Sequence, residues 1–172
     1  MIFMKKAIFI GQAMPRFKAD LHDWPTLNSW LYSIGITHNQ IKENFFYSAL
    51  VDYFPGAQNG SHRVPTPDEI NKERHRLGQT LRKFNPNLVI PIGRLSIAYC
   101  LNKKVEPLEV NVGRTFMVNP YGLFREILII PLPHPSGAST WHHKKENKKL
   151  LSVALENLKF SLLREERTAG SN

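Results

Sequence analysis

The chain of 172 residues is predicted to fold as an α/β protein, a three-layer αβα sandwich with a mainly parallel central sheet. Continuous apolar runs recur along it, and glycine or proline closes them, which is typical of strands buried on both faces. Amphipathic helical segments separate these runs, and this alternation favours parallel pairing. We expect one domain over residues 1–166 and an unstructured tail over residues 167–172.

The first half of the chain carries two such strands. Residues 7–10 are an apolar run that Gly11 closes, and residues 45–51 form a second run that a Pro-Gly pair ends. Between them, residues 26–35 place apolar side chains at helical spacing and end in glycine. Residues 59–65 are polar and predict a loop.

A helix start stands out at Thr66-Pro67-Asp68-Glu69. Thr66 can cap the helix, proline suits the first helical position, and Glu69 completes a capping box three residues on. An apolar stripe then continues over four turns until Pro86. We therefore predict a long amphipathic helix between the second and third strands.

The second half repeats the pattern. Residues 88–92 predict a strand closed by Gly93, and residues 95–101 a short helix. A fourth run, residues 127–132, leads into Pro133-His134-Pro135-Ser136-Gly137, and a final helix extends from about residue 144 to residue 166.

Composition limits the class of protein. The formal net charge is +9 at pH 7, which favours an anionic partner, nucleic acid above all. A single cysteine, Cys100, excludes an intramolecular disulfide, and no apolar run reaches the ~20 residues of a membrane helix. We expect a monomer located in the cytoplasm, nucleoid-associated if bacterial, that binds DNA, with no cofactor and no membrane partner.

Three polar or glycine-containing segments follow predicted strands: residues 11–16, 93–96 and 134–137. Ligands of parallel α/β folds bind at the carboxyl ends of the strands. The three segments are therefore expected to meet in one functional site. His142 and His143 lack carboxylate or cysteine partners at ligand spacing, so we interpret them as part of a basic surface segment and expect no metal.

These segments carry a family resemblance. Gly11-Gln12-Ala13-Met14-Pro15 and His134-Pro135-Ser136-Gly137 resemble the two signature motifs of the uracil-DNA glycosylase superfamily. The stretches over residues 63–70 and 85–94 resemble the central block of its family-four, iron–sulfur type enzymes. The motifs occur in order and cover most of residues 7–140.

The resemblance implies hydrolysis of the N-glycosidic bond of a flipped-out uracil or other deaminated base in DNA, the first step of base excision repair. It implies that His134 donates a hydrogen bond to the departing base and that Gln12 orients water. Thr140 or Trp141 is a candidate to fill the gap left by the flipped base. The other candidate site residues, some from the resemblance and some from residue type and position, fall into two groups. Those placed against the base are Gly11, Ala13, Phe17, Ser48 and Gly93, and those placed against the DNA backbone are Ser136, Gly137, Arg63 and Lys144.

The chain also departs from the family pattern. The cluster cysteines of the iron–sulfur type enzymes are missing, so we expect no iron–sulfur cluster. Gln12 and Ala13 stand where family members carry a carboxylate, and Ser48 stands where an asparagine reads the uracil edge. Phe17 is either a core residue or the face on which a base stacks.

Two alternatives stay open. One is a member that keeps the fold and binds DNA without releasing a base, which the departures at Ala13 and Ser48 favour. The other is an unrelated α/β enzyme that binds a nucleotide or phosphorylated metabolite at the same strand ends.

Overall fold

A computed structural model describes residues 4–16, 24–123, 125–136 and 140–163. The predicted tail and two of the predicted site residues, Phe17 and Gly137, lie outside these ranges. The strands of the described part, in chain order, are β1 (Ala7–Ala13), β2 (Phe45–Val51), β3 (Ala57–Gln58), β4 (Ser61–His62), β5 (Leu88–Pro91), β6 (Phe116–Val118) and β7 (Ile127–Ile129).

Five of these strands form one mostly parallel sheet in the order β2-β1-β5-β7-β6. The pairs β1–β2, β1–β5 and β5–β7 are parallel, and β6 runs antiparallel to β7 at one edge. The predicted α/β class and the mainly parallel sheet are confirmed. Because β2, β1, β5 and β7 run parallel, their carboxyl ends lie at the same edge of the sheet.

The helices of the described residues are α1 (Pro25–Ser33), α2 (His38–Asn44), α3 (Pro67–Phe84), α4 (Arg94–Leu101), α5 (Leu108–Asn111) and α6 (Lys145–Leu162). Single turns of 3-10 helix occur at Pro120–Gly122 and Trp141–His143. Within the described ranges, none of the helices is both long enough and apolar enough to cross a membrane.

Helices cover both faces of the sheet, as the sandwich prediction requires. Leu31 of α1 and Leu158 of α6 are fully buried in the core on one face, which we call the first core. Leu77 and Leu81 of α3 are fully buried in the core on the other face, the second core. Burial of a leucine side chain contributes about 1.5–3 kcal/mol, so these two cores dominate the stability of the fold.

The long helix begins where its capping residues predict. Thr66 Oγ1 accepts from the backbone N–H of Glu69 at 3.2 Å, and Glu69 Oε2 accepts from the backbone N–H of Thr66 at 2.7 Å. The chain leaves α3 at Asn85, which adopts a left-handed conformation with φ 50° directly before Pro86. The predicted helix and its two ends are confirmed.

The predicted loop over residues 59–65 contains one short strand that the prediction missed, β4. It pairs with β3 as a short hairpin turned at Asn59 and Gly60, whose φ values are 51° and 76°. Positive φ at both central positions suits an Asn-Gly turn, the commonest short hairpin signal. The hairpin leads directly into the segment that precedes α3.

Candidate active site

A cleft of about 470 Å³ opens at the carboxyl edge of the sheet, within the ~300–1,000 Å³ typical of small-molecule sites. Three of its residues come from three different strand ends. Gln12 is near the end of β1, Gly93 follows β5, and His134 lies beyond β7. The rest of the lining is mostly apolar, with one arginine: Val64, Ile92, Arg94, Leu95, Val105 and Leu108.

The sheet itself brings Gly93 beside His134. Ile92 and Leu132 form a parallel bridge that extends the β5–β7 pairing, and the backbone N–H of Gly93 donates to the carbonyl of Leu132 at 2.9 Å. Gly93 has φ 85°, a conformation that favours glycine, and a Cβ there would lie 3.8 Å from the Cβ of His134. The backbone turns at this point and places α4 next to the histidine.

His134 is held in one tautomer by its own loop. The backbone N–H of Ser136 donates to Nδ1 of His134 at 3.1 Å. Nδ1 therefore acts as an acceptor, and the hydrogen of the neutral imidazole lies on Nε2. The flanking residues Pro133 and Pro135 are buried, which fixes the loop that carries the ring.

One aromatic side chain contacts the histidine, and a second packs behind the first. The Trp24 ring meets the His134 ring edge-to-face, with centroids 5.8 Å apart, and stacks on Tyr47 at 5.6 Å. Trp24 is buried in the first core. Burial raises the pKa of the Tyr47 phenol, so it stays neutral. No motif in the sequence singles out Tyr47.

The position of the Tyr47 side chain also explains why residue 11 is a glycine. A Cβ built on Gly11 would overlap the Tyr47 hydroxyl and approach its Cζ atom to 2.9 Å. Gly11 pairs with Ala49 in the register of β1 and β2, so the phenol crosses the strand at this point. Glycine is needed here because a side chain and the Tyr47 ring cannot share the space.

Gly11, Ala13 and Ser48, all expected to lie against the base, are not among the residues that line the cleft. Ser48 is buried, and its hydroxyl accepts from Nη1 of Arg76 at 3.2 Å. Nη2 of the same arginine donates to the carbonyl of Ala49 at 2.7 Å, and its Nε to Glu73 at 2.7 Å. Ser48 thus belongs to the contact between β2 and α3, and Ala13 packs against the second core.

Arg63, expected to contact DNA phosphates, is held within the protein. Its guanidinium binds Glu69 through two hydrogen bonds of 2.9 and 2.7 Å, and its Nε donates to the carbonyl of Pro55 at 2.8 Å. The two hydrogen bonds from Arg63, followed by those from Thr66, lower the pKa of the Glu69 carboxyl well below its usual range. The structure assigns Arg63 to fixing the segment between β4 and α3.

The other basic residues near the site remain on the surface. Arg94 lines the cleft, is exposed, and donates from Nε to the carbonyl of Glu106 at 3.2 Å. Lys144 is exposed at the start of α6. Hydrogen bonds from its own backbone and from Trp141, and then the positive charges of Lys144 and Arg94, lower the pKa of Glu109. Both cations therefore lie near Glu109.

Trp141, a candidate to fill the gap left by a flipped base, makes its contacts within the protein. Its indole N–H donates to Oε2 of Glu109 at 3.1 Å, and its carbonyl accepts from Nδ2 of Asn147 at 2.8 Å. The ring packs against the first core. Thr140 is exposed.

The described residues include no cluster of three or more His, Cys, Asp or Glu placed to hold a metal ion. The rings of His142 and His143 lie 4.4 Å apart, and burial followed by the charge of His143 lowers the pKa of His142. Cys100 is buried on α4, and burial raises the pKa of its thiol to about 12. A lone buried cysteine does not fit a cluster that needs four thiolate ligands.

Comparison with known proteins identifies the family. A family model described as the uracil DNA glycosylase superfamily matches residues 5–159. The chain belongs to the uracil-DNA glycosylase superfamily. The superfamily match includes all three strand ends that form the cleft, and it confirms the resemblance inferred from the motifs.

Two curated proteins are similar to this superfamily member. A type-4 uracil-DNA glycosylase of Saccharolobus solfataricus is 28% identical over 138 residues, which cover 76% of this chain and 61% of that protein. A DNA polymerase of Bacillus phage SP01 is 29% identical over 94 residues, 55% of this chain and 9% of the polymerase. The matched part is thus about three fifths of the glycosylase and a small part of the polymerase.

Proposed function

We propose that this protein hydrolyses the N-glycosidic bond of a flipped-out uracil or other deaminated base in DNA. The observation that carries the proposal is His134, which lines the cleft with Nδ1 accepting from Ser136 and the imidazole hydrogen on Nε2. Superfamily membership and the type-4 relative support the same reaction.

The reaction makes specific demands on the site. When the bond between C1′ and the base nitrogen breaks, the electron pair leaves with the base, and positive charge develops on the deoxyribose. Water then adds its hydroxyl to C1′, and its proton ends on the base. A neutral imidazole that donates from Nε2 stabilises the base anion, and one such donor is worth about 10²–10³ in rate.

Besides His134, the described cleft lining offers Gln12 as a polar side chain that can take part in the reaction. Its amide offers a donor and an acceptor, which suits it to orient the attacking water. The described lining includes no carboxylate that could stabilise the sugar cation. We therefore propose a slower reaction than one assisted by a carboxylate, with a base of good leaving ability as substrate.

Contacts to the DNA backbone complete the proposal. Ser136 lies next to His134, and Arg94 and Lys144 add positive charge on the side of the molecule that carries Glu109. Phosphate contacts of this kind hold the strand, and the formal net charge of +9 adds a long-range attraction.

A second candidate is a DNA-binding protein that releases no base. It is favoured by Ser48, which is bound to Arg76 and does not line the cleft, and by Ala13, which supplies no carboxylate. Such a protein would retain the phosphate contacts and the apolar cleft.

The test is base release from labelled oligonucleotides that contain uracil, hypoxanthine, xanthine or a mismatched uracil. Release of one of these bases supports the glycosylase and identifies its substrate. Salt-dependent DNA binding without release of any base supports the second candidate. Absence of both release and DNA binding at low salt contradicts both candidates.

A further inference from the structure

A base that leaves a duplex opens a gap in the stack, and proteins commonly fill such gaps with an apolar side chain. A gap of this kind forms only if the protein flips a base out of DNA, so the inference rests on the proposed function. Side chains that fill a gap need to be apolar, exposed, close to the cleft and carried on a firmly held backbone.

The segment after Ser136 does not supply such a side chain. Residues 137–139 are Gly, Ala and Ser, none of them larger than two heavy side-chain atoms, and Thr140 is short and polar. Trp141 is large enough, but its indole is bound to Glu109 and its ring packs against the first core. Among the described residues, a better candidate to fill the gap lies in another part of the cleft mouth.

Two large apolar side chains both line the cleft and are exposed among the described residues. Val64 is 56% exposed and Val105 is 48% exposed. The more buried apolar residues of the lining, such as Leu108 and Ile92, form its walls and cannot reach outward. The two valines are the candidates at the mouth.

Val64 is distinguished by how firmly its neighbours are held. On its amino side, Arg63 binds Glu69 through two hydrogen bonds, donates to the carbonyl of Pro55, and donates from its backbone to the carbonyl of Gly56 at 2.9 Å. On its carboxyl side, Pro65 is buried. An apolar side chain on a fixed backbone enters a base stack at little entropic cost.

We propose that Val64 is the residue that enters the DNA base stack when a base occupies the cleft. Arg63 and Glu69 are then positioning residues, because they hold the segment that presents Val64. Val64 would contact the stacked bases that flank the lesion. Such a stack is present in duplex DNA and largely absent from a single strand.

The difference between duplex and single strand provides the test. Single-turnover base release is measured for wild type, Val64→Ala and Val64→Leu on the same lesion in single-stranded and in duplex oligonucleotides. Val64→Ala is expected to lower release from the duplex about tenfold more than release from the single strand, because two methyl groups that the base stack would bury are lost. Val64→Leu keeps an apolar side chain and is expected to restore the duplex rate.

The matched control is Val153→Ala, since Val153 is also 48% exposed but lies on α6 outside the cleft lining. It is expected to leave both rates unchanged. Equal loss on both substrates in Val64→Ala overturns the proposal, since it means that Val64 is a wall of the base site. No loss, or a duplex-selective loss in Val105→Ala instead, overturns it as well.

A second readout separates this proposal from the proposed function. Fluorescence of 2-aminopurine placed next to the lesion in duplex DNA reports unstacking whether or not the bond is cleaved. If wild type releases no base, the proposed glycosylase activity is contradicted. A fluorescence rise that Val64→Ala abolishes would still support the entry of Val64 into the base stack. A rise that is the same in wild type and Val64→Ala overturns it.

Discussion

Arg76 of α3 donates from Nη1 to the hydroxyl of Ser48 on β2 at 3.2 Å, and Ser48 is buried. The residue that replaces the expected base-reading asparagine is therefore part of a helix–strand contact. Because the serine hydroxyl accepts a hydrogen bond within the fold, we expect base selectivity to come from residues that line the cleft.

Ser48→Ala is expected to affect stability and leave base preference unchanged. Loss of one hydrogen bond from a charged donor costs about 1.5–3 kcal/mol, reduced here because Arg76 keeps its bonds to Ala49 and Glu73. Thermal unfolding measures the first effect, and relative release of uracil and hypoxanthine measures the second. A changed base preference at unchanged stability would show that Ser48 reads the base.

Gln12→Glu is expected to accelerate base release. Gln12 lines the cleft, and a carboxylate there would stabilise the developing sugar cation by ~3–4 kcal/mol, roughly 10²–10³ in rate. The gain should disappear as pH falls below about 4, where the carboxylate is protonated. Gln79→Glu, an exposed change on α3, controls for added charge. An unchanged or lower rate in Gln12→Glu would place Gln12 away from the sugar.

Ser136→Ala separates the two groups that Ser136 contributes. Its backbone N–H, which donates to His134, is retained, so the tautomer of the histidine is preserved. Its hydroxyl is lost, and with it a proposed hydrogen bond to phosphate worth about 1.5–3 kcal/mol. We expect KM for DNA to rise about tenfold or more with the single-turnover rate at saturation little changed. A fall in that rate with constant KM would contradict a phosphate contact.

The Arg63–Glu69 pair predicts a pH-dependent stability. Hydrogen bonds from Arg63, and then from Thr66, lower the pKa of Glu69 in the folded protein below the ordinary value of 4.5. Between these two pKa values the unfolded chain binds more protons than the folded one, so stability rises with pH. The contribution is fully present above about pH 5 and is lost as pH falls from there toward the folded pKa.

Glu69→Gln tests this directly by thermal unfolding between about pH 2.5 and pH 7. The Tm difference from wild type is expected to be largest near neutral pH and to shrink on acidification. Glu156→Gln, an exposed change on α6, corrects for general charge effects. A Tm difference that stays constant with pH would show that ionised Glu69 contributes nothing through this pair.

Local signals predicted much of the fold. The strand over residues 45–51 and the capped start of α3 occur where apolar runs and capping residues place them. Helix α2 was missed although it carries the same signal, since Thr37 and Gln40 form a capping box with bonds of 3.2 and 2.9 Å. The Asn59-Gly60 turn was a readable signal as well.

The parts of the site that could not be predicted depend on contacts distant in sequence. Which way Ser48 faces is decided by Arg76, 28 residues later, and Trp24 meets His134 although the two residues are far apart in sequence. Tyr47 reads as one more apolar strand residue until the register places its ring over Gly11. Strand-end position predicted Gln12, Gly93 and His134, because topology alone brings such residues together.

The decisive measurement is the single-turnover rate of base release by His134→Ala on the lesion that wild type processes best. Removal of the Nε2 donor is expected to lower the rate by about 10²–10³ while the Tm stays close to that of wild type. His75→Ala, at an exposed position on α3, should release the base at the wild-type rate. A His134→Ala rate within a few fold of wild type would contradict the role of His134 as donor to the departing base.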